Sequence, residues 1–328
     1  MNTPLTSGLV GDKLADLHAL RIGSLERLWG IVQADCQNFL ANDLRMSASQ
    51  MTSMVNAIKP HVPTSVQATG PSRRYSMGCL PPVAAQGNGG SNTQRASASP
   101  QVKASPSVNL IPKLPPIRAQ GYRGTCVAFA ASALHDYDSN GQPSVYSEQF
   151  LYYACKQLDG DTKCGTHLQQ ATVVLGAQGQ CLDQDFPYNG NNPCHDPTQP
   201  SSRNIADAAN HLITLTEIAA TSVPDIKSCI ASRGPVAVSI PVYNSWYQSP
   251  AVEIDGAITM PLNSETVREG HAVCLVGYDD DANEPGGGRF IVRNSWSTNW
   301  AYSSPYGAGY GSIPYAYIAG YTWEAYGL

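Results

Sequence analysis

Charge is what this chain has least of. Asp, Glu, Lys and Arg make up 14% of its 328 residues, against about 25% in an average soluble protein. With 42% hydrophobic residues it has enough apolar surface for a sizeable core, which excludes a wholly disordered chain. Long apolar runs are missing too: none reaches the roughly 18 residues of a membrane-spanning helix, so no membrane partner is expected. Met1 to Leu20 carries polar or charged residues every few positions. It shows no apolar core of a secretory leader, so the expectation is a cytoplasmic protein or one exported by another route. An excess of basic residues is also absent: 20 basic against 25 acidic side chains give a net charge of −5, which argues against a nucleic-acid partner. The histidines show no zinc-type spacing with cysteine, and no metal or other cofactor is expected. Turn formers, by contrast, are plentiful, with 29 glycines and 24 prolines.

The charge is unevenly distributed, and its distribution divides the chain. Residues 1–60 hold five basic and five acidic side chains. Residues 61–105 hold Arg73, Arg74, Arg95 and Lys103 and no acidic residue at all, and 106–328 carry a net charge of −9. The middle block is Ser, Ala, Pro, Gly and Gln with few large apolar residues, which cannot offset chain entropy by burial. It reads as a flexible linker. Before it, Leu14, Leu17 and Leu20 form one helical stripe, and Leu25, Leu28, Trp29 and Val32 another, with Gly23-Ser24 as break and cap. Ser47-Ala48-Ser49-Gln50 reads as a capping box ahead of Met51, Met54, Val55 and Ile58. Leu20-Arg21-Ile22 is echoed by Leu44-Arg45-Met46, each just before a capping serine. The expectation is a small bundle of four short helices over 1–60.

The chemistry lies in 106–328. In Gln120-Gly121-Tyr122-Arg123-Gly124-Thr125-Cys126-Val127-Ala128-Phe129, the cysteine opens a small-residue run that reads as a buried helix. A helix N-terminus favours negative charge and therefore thiolate. A thiolate nucleophile needs a base and a group to orient that base. Glu269-Gly270-His271-Ala272-Val273 begins a strand with His271 at its mouth, and Arg289-Phe290-Ile291-Val292-Arg293-Asn294 is a second strand across the hairpin Asp279 to Gly288. Antiparallel pairing brings His271 and Asn294 together, so that the Asn carbonyl holds one imidazole nitrogen and leaves the other for sulfur. The triplet Asp279-Asp280-Asp281 reads as a solvated hairpin tip.

These strings resemble the papain family of cysteine peptidases. The family motifs Q-G-x-C-G-S-C-W-A-F, H-A-V and N-S-W-G-x-x-W-G read here as Gln120 through Phe129, His271-Ala272-Val273, and Asn294-Ser295-Trp296 through Trp300. Ser147-Glu148-Gln149 and Phe186-Pro187-Tyr188 match two more, in order. The resemblance implies a divergent member, with an α+β papain-like two-subdomain fold. A helical subdomain would open with the Cys126 helix, and a β-barrel-like sheet would carry His271 and Asn294. It implies a cysteine endopeptidase acting on a peptide or protein substrate through a Cys126 thioester. His271 would serve as base and then acid, Asn294 as its orienter, and Trp296 as the shield of their hydrogen bond. Gln120 and the Cys126 N–H would be the oxyanion donors. A Cys-His-Asn acyltransferase or deamidase, or a silent peptide-binding scaffold, are the alternatives.

Departures are informative. The family Trp after the nucleophile is Val127, and Arg123 replaces a family cysteine, so one usual disulfide cannot form. By position in the family, Cys155 and Cys194 are the disulfide candidates. Cys229 and Cys274 read as packed thiols. Again by family position, Ser239, Glu269 and Gly270 border the second substrate subsite, where a small Ser and a nearby Glu would accept an apolar or basic side chain. Residues 1–105 are expected to be either a pro-segment that blocks the cleft or a module that recruits a delivery partner through 1–60, with Arg73-Arg74 as an exposed cutting point.

Overall fold

The structure is a computed structural model that describes residues 3–67, 75–82, 105–139, 145–194, 196 and 198–328. Its centre is a seven-stranded antiparallel sheet: β1 (Ser107–Asn109), β2 (Thr216–Glu217), β3 (Val236–Val242), β4 (Glu269–Asp280), β5 (Gly288–Arg293), β6 (Tyr310–Pro314) and β7 (Glu324–Gly327). The strand order is β2-β7-β3-β4-β5-β6, with β1 also on β4. β3 pairs with β4 as far as Leu275, β1 takes over from Gly277, and a bulge between Leu275 and Gly277 shifts the register with β5.

Successive side chains of a strand point to opposite faces, and β4 is buried on both. Val273 and Leu275 join one core with Val238, Trp246, Phe290, Val292 and Ile313. Ala272, Cys274 and Val276 join the other, where the helix Cys126–Asp138 lies against the sheet. That helix contributes Ala128, Ala130, Ala131 and Ala133, small side chains that let it approach β4 closely. The next helix, Glu148–Asp159, is capped by Ser147, whose hydroxyl accepts from the Phe150 N–H at 3.0 Å, and it stops at left-handed Gly160. Such a cap contributes about 1 kcal/mol.

The N-terminal residues form a helical bundle with its own core, from Leu17, Ile22, Leu28, Ile31, Leu40, Met51 and Ile58. Its main helices are Leu14–Ala19, Leu25–Gln33, Gln37–Asp43 and Ala48–Ile58; shorter helical turns precede them and extend the bundle to Gln67. Ser24 and Ser47 cap two of them, the second in a full capping box. The bundle is docked, not tethered. Leu262 of the catalytic part completes its core, Arg27 pairs with Asp255 at 3.0 Å, and Asp43 accepts from the Asn263 N–H at 2.8 Å.

The expected linker needs correcting. Residues 68–74, with Arg73-Arg74, and 83–104 lie outside the described residues, but 75–82 between them form an ordered extended segment inside the catalytic part. Met77 and Cys79 are buried there, so these two apolar residues supply the burial that the surrounding composition lacks. The Asp279 to Asp281 triplet is not a bare solvated tip either. Arg289 lies 3.7 Å from Asp279 and 3.4 Å from Asp281, and Lys227 pairs with Asp280.

Candidate active site

Cys126, His271 and Asn294 meet where the Cys126 helix abuts the mouth of β4. Cys126 is the first residue of its helix, and its Sγ accepts from the Ala272 N–H at 3.4 Å. His271 Nε2 lies 2.8 Å from Asn294 Oδ1. Because that oxygen only accepts, Nε2 carries the proton and Nδ1 is left with a lone pair. Nδ1 is buried and makes no hydrogen bond to the described residues. The Asn294 carbonyl is fixed in turn by the Ser295 N–H at 2.8 Å. Trp296 stacks on the imidazole with ring centroids 4.6 Å apart.

Gln120 is fully buried beside this group. Its Oε1 accepts from the Ser295 hydroxyl at 2.6 Å, which turns Nε2 towards the Arg123 carbonyl at 2.8 Å and the Met77 carbonyl at 3.4 Å. Ser295 is thus a positioning residue to which the sequence reading assigned no role, although it sits inside the N-S-W string.

The Met77 contact belongs to a longer one, because residues 75–80 run through the cleft. Tyr75 stacks on Trp296 at 4.7 Å, and the Trp296 indole N–H donates to the Ser76 carbonyl at 2.9 Å. Gly78 and Cys79 N–H groups both donate to the Gly270 carbonyl, at 3.3 and 3.2 Å. Thr166 N–H donates to Gly78, and Leu80 N–H returns to the Thr166 carbonyl at 2.9 Å. Gly270 has to be glycine here, since a Cβ would fall 2.2 Å from the Cys79 carbonyl oxygen.

Cys126 and His271 are both fully buried. Burial pushes the Cys126 thiol up to about 12, with the Ala272 N–H acting the other way. Burial also brings His271 down to about 4, against the opposing Asn294 bond. Burial therefore favours the neutral form of both groups. Burial at this helix end works against the thiolate that the helix N-terminus favours.

Cys79 fills a pocket beside Ser239 and Glu324, and burial holds its thiol well above the ordinary value. Ser239 donates to Glu324 at 3.1 Å, the Gln169 N–H donates to the other carboxylate oxygen at 3.1 Å, and burial raises the Glu324 carboxyl. The acid in this pocket is Glu324, on β7 opposite Ser239; Glu269 is exposed at the start of β4, on the cleft rim. Glu324 was missed because nothing in the Tyr-rich tail marks that strand as β3's neighbour. The disulfide also differs from the expected pair. Cys194 bonds Cys164, with Cα atoms 5.1 Å apart, whereas Cys155 is a free thiol on the buried face of its helix, in one core with Leu151.

Comparison with known proteins settles the family. A family model described as papain family cysteine protease matches residues 108–310. The chain belongs to the papain family. Cathepsin J of Rattus norvegicus is 28% identical over 192 residues, covering 56% of this chain and 54% of that protein. An uncharacterized peptidase C1-like protein of Acanthamoeba polyphaga mimivirus is 26% identical over 216 residues, covering 61% of this chain and 64% of the relative. The chain thus spans 54% and 64% of the lengths of these two relatives. Xylellain, a cysteine protease from Xylella fastidiosa, superposes with a TM-score of 0.64 at 25% identity, covering 78% of this chain and 97% of that one. The helical bundle and the cleft segment both precede the part matched by the family model.

Proposed function

We propose that this chain is a cysteine endopeptidase kept latent by its own residues 75–82. The carrying observation is the Met77 carbonyl against the Gln120 amide, directly beside the buried Cys126 and His271. Once the segment leaves, Cys126 Sγ passes its proton to His271 Nδ1 and attacks a substrate carbonyl carbon. The oxygen that takes up the negative charge is met by Gln120 Nε2 and the Cys126 N–H. His271 then protonates the leaving amine as the C–N bond breaks, and water, deprotonated by the same imidazole, hydrolyses the thioester. Asn294 keeps the ring in the tautomer this sequence needs. Glu324, a buried carboxylate with two neutral hydrogen-bond donors, selects a basic substrate side chain in the pocket that Cys79 now fills.

The test uses the full chain and a peptide library before and after limited trypsin digestion, with trypsin then inhibited. Arg73, Arg74, Arg95 and Lys103 bracket the segment in sequence. New peptide termini are expected after digestion and none from Cys126→Ala, with Gln120→Ala slowed about 10²–10³-fold. One-dalton gains without cleavage, or cleavage by Cys126→Ala at the wild-type rate, would reject the proposal.

A further inference from the structure

Three helix ends of the bundle share one turn, whose left-handed position is held by Arg21, Asp35 and Arg45. Arg21 follows the helix Leu14–Ala19 and Leu20 with φ +63°, and Arg45 follows the helix Gln37–Asp43 and Leu44 with φ +52°. In these two copies the arginine N–H donates to the carbonyl three residues back, His18 at 2.9 Å and Asn42 at 3.1 Å. The next amide reaches five residues back, Ile22 to Leu17 and Met46 to Ala41, both at 2.8 Å. Ser24 and Ser47 then cap the following helices. Glycine is the usual residue at such a left-handed helix end, and an arginine there is strained. The third copy carries Asp35, so the turn itself does not demand arginine, and what each arginine does is read from its surroundings.

For Arg21 that role is visible. Its guanidinium is buried in the catalytic part, donating to the carbonyls of Ile258 and Ser312 at 2.9 Å each and to the Ser312 hydroxyl, and pairing with Glu284 at 2.7 Å. Arg45 is exposed, and no hydrogen bond or ion pair joins its side chain to the described residues. It borders an open groove of about 430 Å³ with Ser49, Gln50 and Lys13, over an apolar floor of Leu9, Met46 and Met54. Asp12 lies at the groove edge, paired with Lys13 at 3.4 Å, so Arg45 is the cation left for an outside partner.

We propose that the Arg45 turn is a docking site for an extended acidic segment of a partner protein. A carboxylate and neighbouring main-chain carbonyls of that segment meet the guanidinium as Glu284, Ile258 and Ser312 meet Arg21. Charge complementarity and the internal precedent of Arg21 select this occupant, and its apolar side chains rest on Leu9, Met46 and Met54.

The probe is a fluorescein-labelled octapeptide of alternating Glu and Leu, with its Gln-for-Glu counterpart. Binding is read by fluorescence anisotropy on the full chain carrying Cys126→Ala. The Glu peptide should bind saturably, and Arg45→Gln and Arg45→Gly should each weaken it at least tenfold. Arg45→Gly relieves the left-handed backbone, so its melting temperature should be unchanged or higher, which separates lost binding from lost fold. Equal binding of the Gln peptide, unchanged binding in either variant, or no saturable binding overturns the proposal. So does Arg45-dependent binding of a 12-base-pair DNA duplex by a chain that ignores the Glu peptide, or a dimer that Arg45→Gln dissolves.

Discussion

Replacing Gly78 with valine should open the cleft without touching any catalytic group. Gly78 has φ +137°, and a Cβ there would fall 2.2 Å from the Gly124 carbonyl oxygen and 2.4 Å from its carbonyl carbon and Cα. These are backbone atoms next to Thr125 and the Cys126 helix, so they cannot turn aside as a flexible side chain would. Forcing a side chain into packed space costs about 1–3 kcal/mol. A glycine-type backbone angle imposed on another residue costs about 1–3 kcal/mol more. At 1.36 kcal/mol per factor of ten, the sum of about 2–6 kcal/mol lowers the ratio of closed to open forms by roughly 30- to 10⁴-fold. The assay is the rate at which iodoacetamide alkylates Cys126 in the full chain, followed by peptide mass mapping. The near-ultraviolet circular dichroism should remain native-like. Gly287→Ala is the control, since Gly287 shares a positive φ of +85° but has nothing within 4 Å of the added Cβ. Alkylation of Gly78→Val at the wild-type rate, in a folded chain, would refute the idea that this segment is what covers the thiol.

Two further outcomes are expected. Glu324→Gln should abolish the activated enzyme's preference for Lys or Arg over Gln in the pocket that Cys79 fills. Because burial raises the Glu324 carboxyl, the wild-type preference should be present when that group is ionised and fade as pH falls through its raised value; a library profile identical for both chains at pH 7 would remove Glu324 from the pocket. The closed form should also be pH-bounded. His271 is held at about 4 against 6.5, so opening the cleft binds a proton and the closed form loses stability as pH falls from 6.5 towards 4, by about 3 kcal/mol at the lower end. Cys126 is held at about 12 against 9.0, so closure also weakens as pH rises above 9.0. Hydrogen-exchange protection of 75–82, corrected for intrinsic rates, should peak between those limits; protection equal at pH 5 and pH 7 would contradict this.

How much of this was legible beforehand depended on whether cause and effect were close in the chain. The Ser47 capping box, the stripe of Met51, Met54 and Ile58, and the hairpin from Asp279 to Gly288 follow from spacing alone and recur in the structure. His271 and Asn294 could be paired because one hairpin joins their strands. The burial of Cys126 could not be read, because the helix field is local whereas the burial opposing it comes from packing against residues distant in the chain. Residues 75–80 looked like linker because two buried side chains, Met77 and Cys79, are diluted among Pro, Gly and Ser. Glu324 needed the β3–β7 pairing, and Cys164 needed the path of a loop; neither leaves a periodic trace.

Arg21 has a consequence for what a severed chain would be. Its guanidinium supplies the hydrogen bonds of two catalytic-part carbonyls and balances Glu284, while Leu262 lies in the bundle's core. Pulling the bundle away would leave Glu284 with only Arg289, the Ile258 carbonyl without its guanidinium donor, and Leu262 stripped of its apolar neighbours. The proposed latency and the bundle's attachment therefore rest on separate bonds, the first in the cleft and the second around Arg21. A cut between residue 82 and residue 105 breaks neither set. Under the proposed latency, a second cut before residue 75 frees the cleft segment while the bundle stays bound through Arg21 and Leu262.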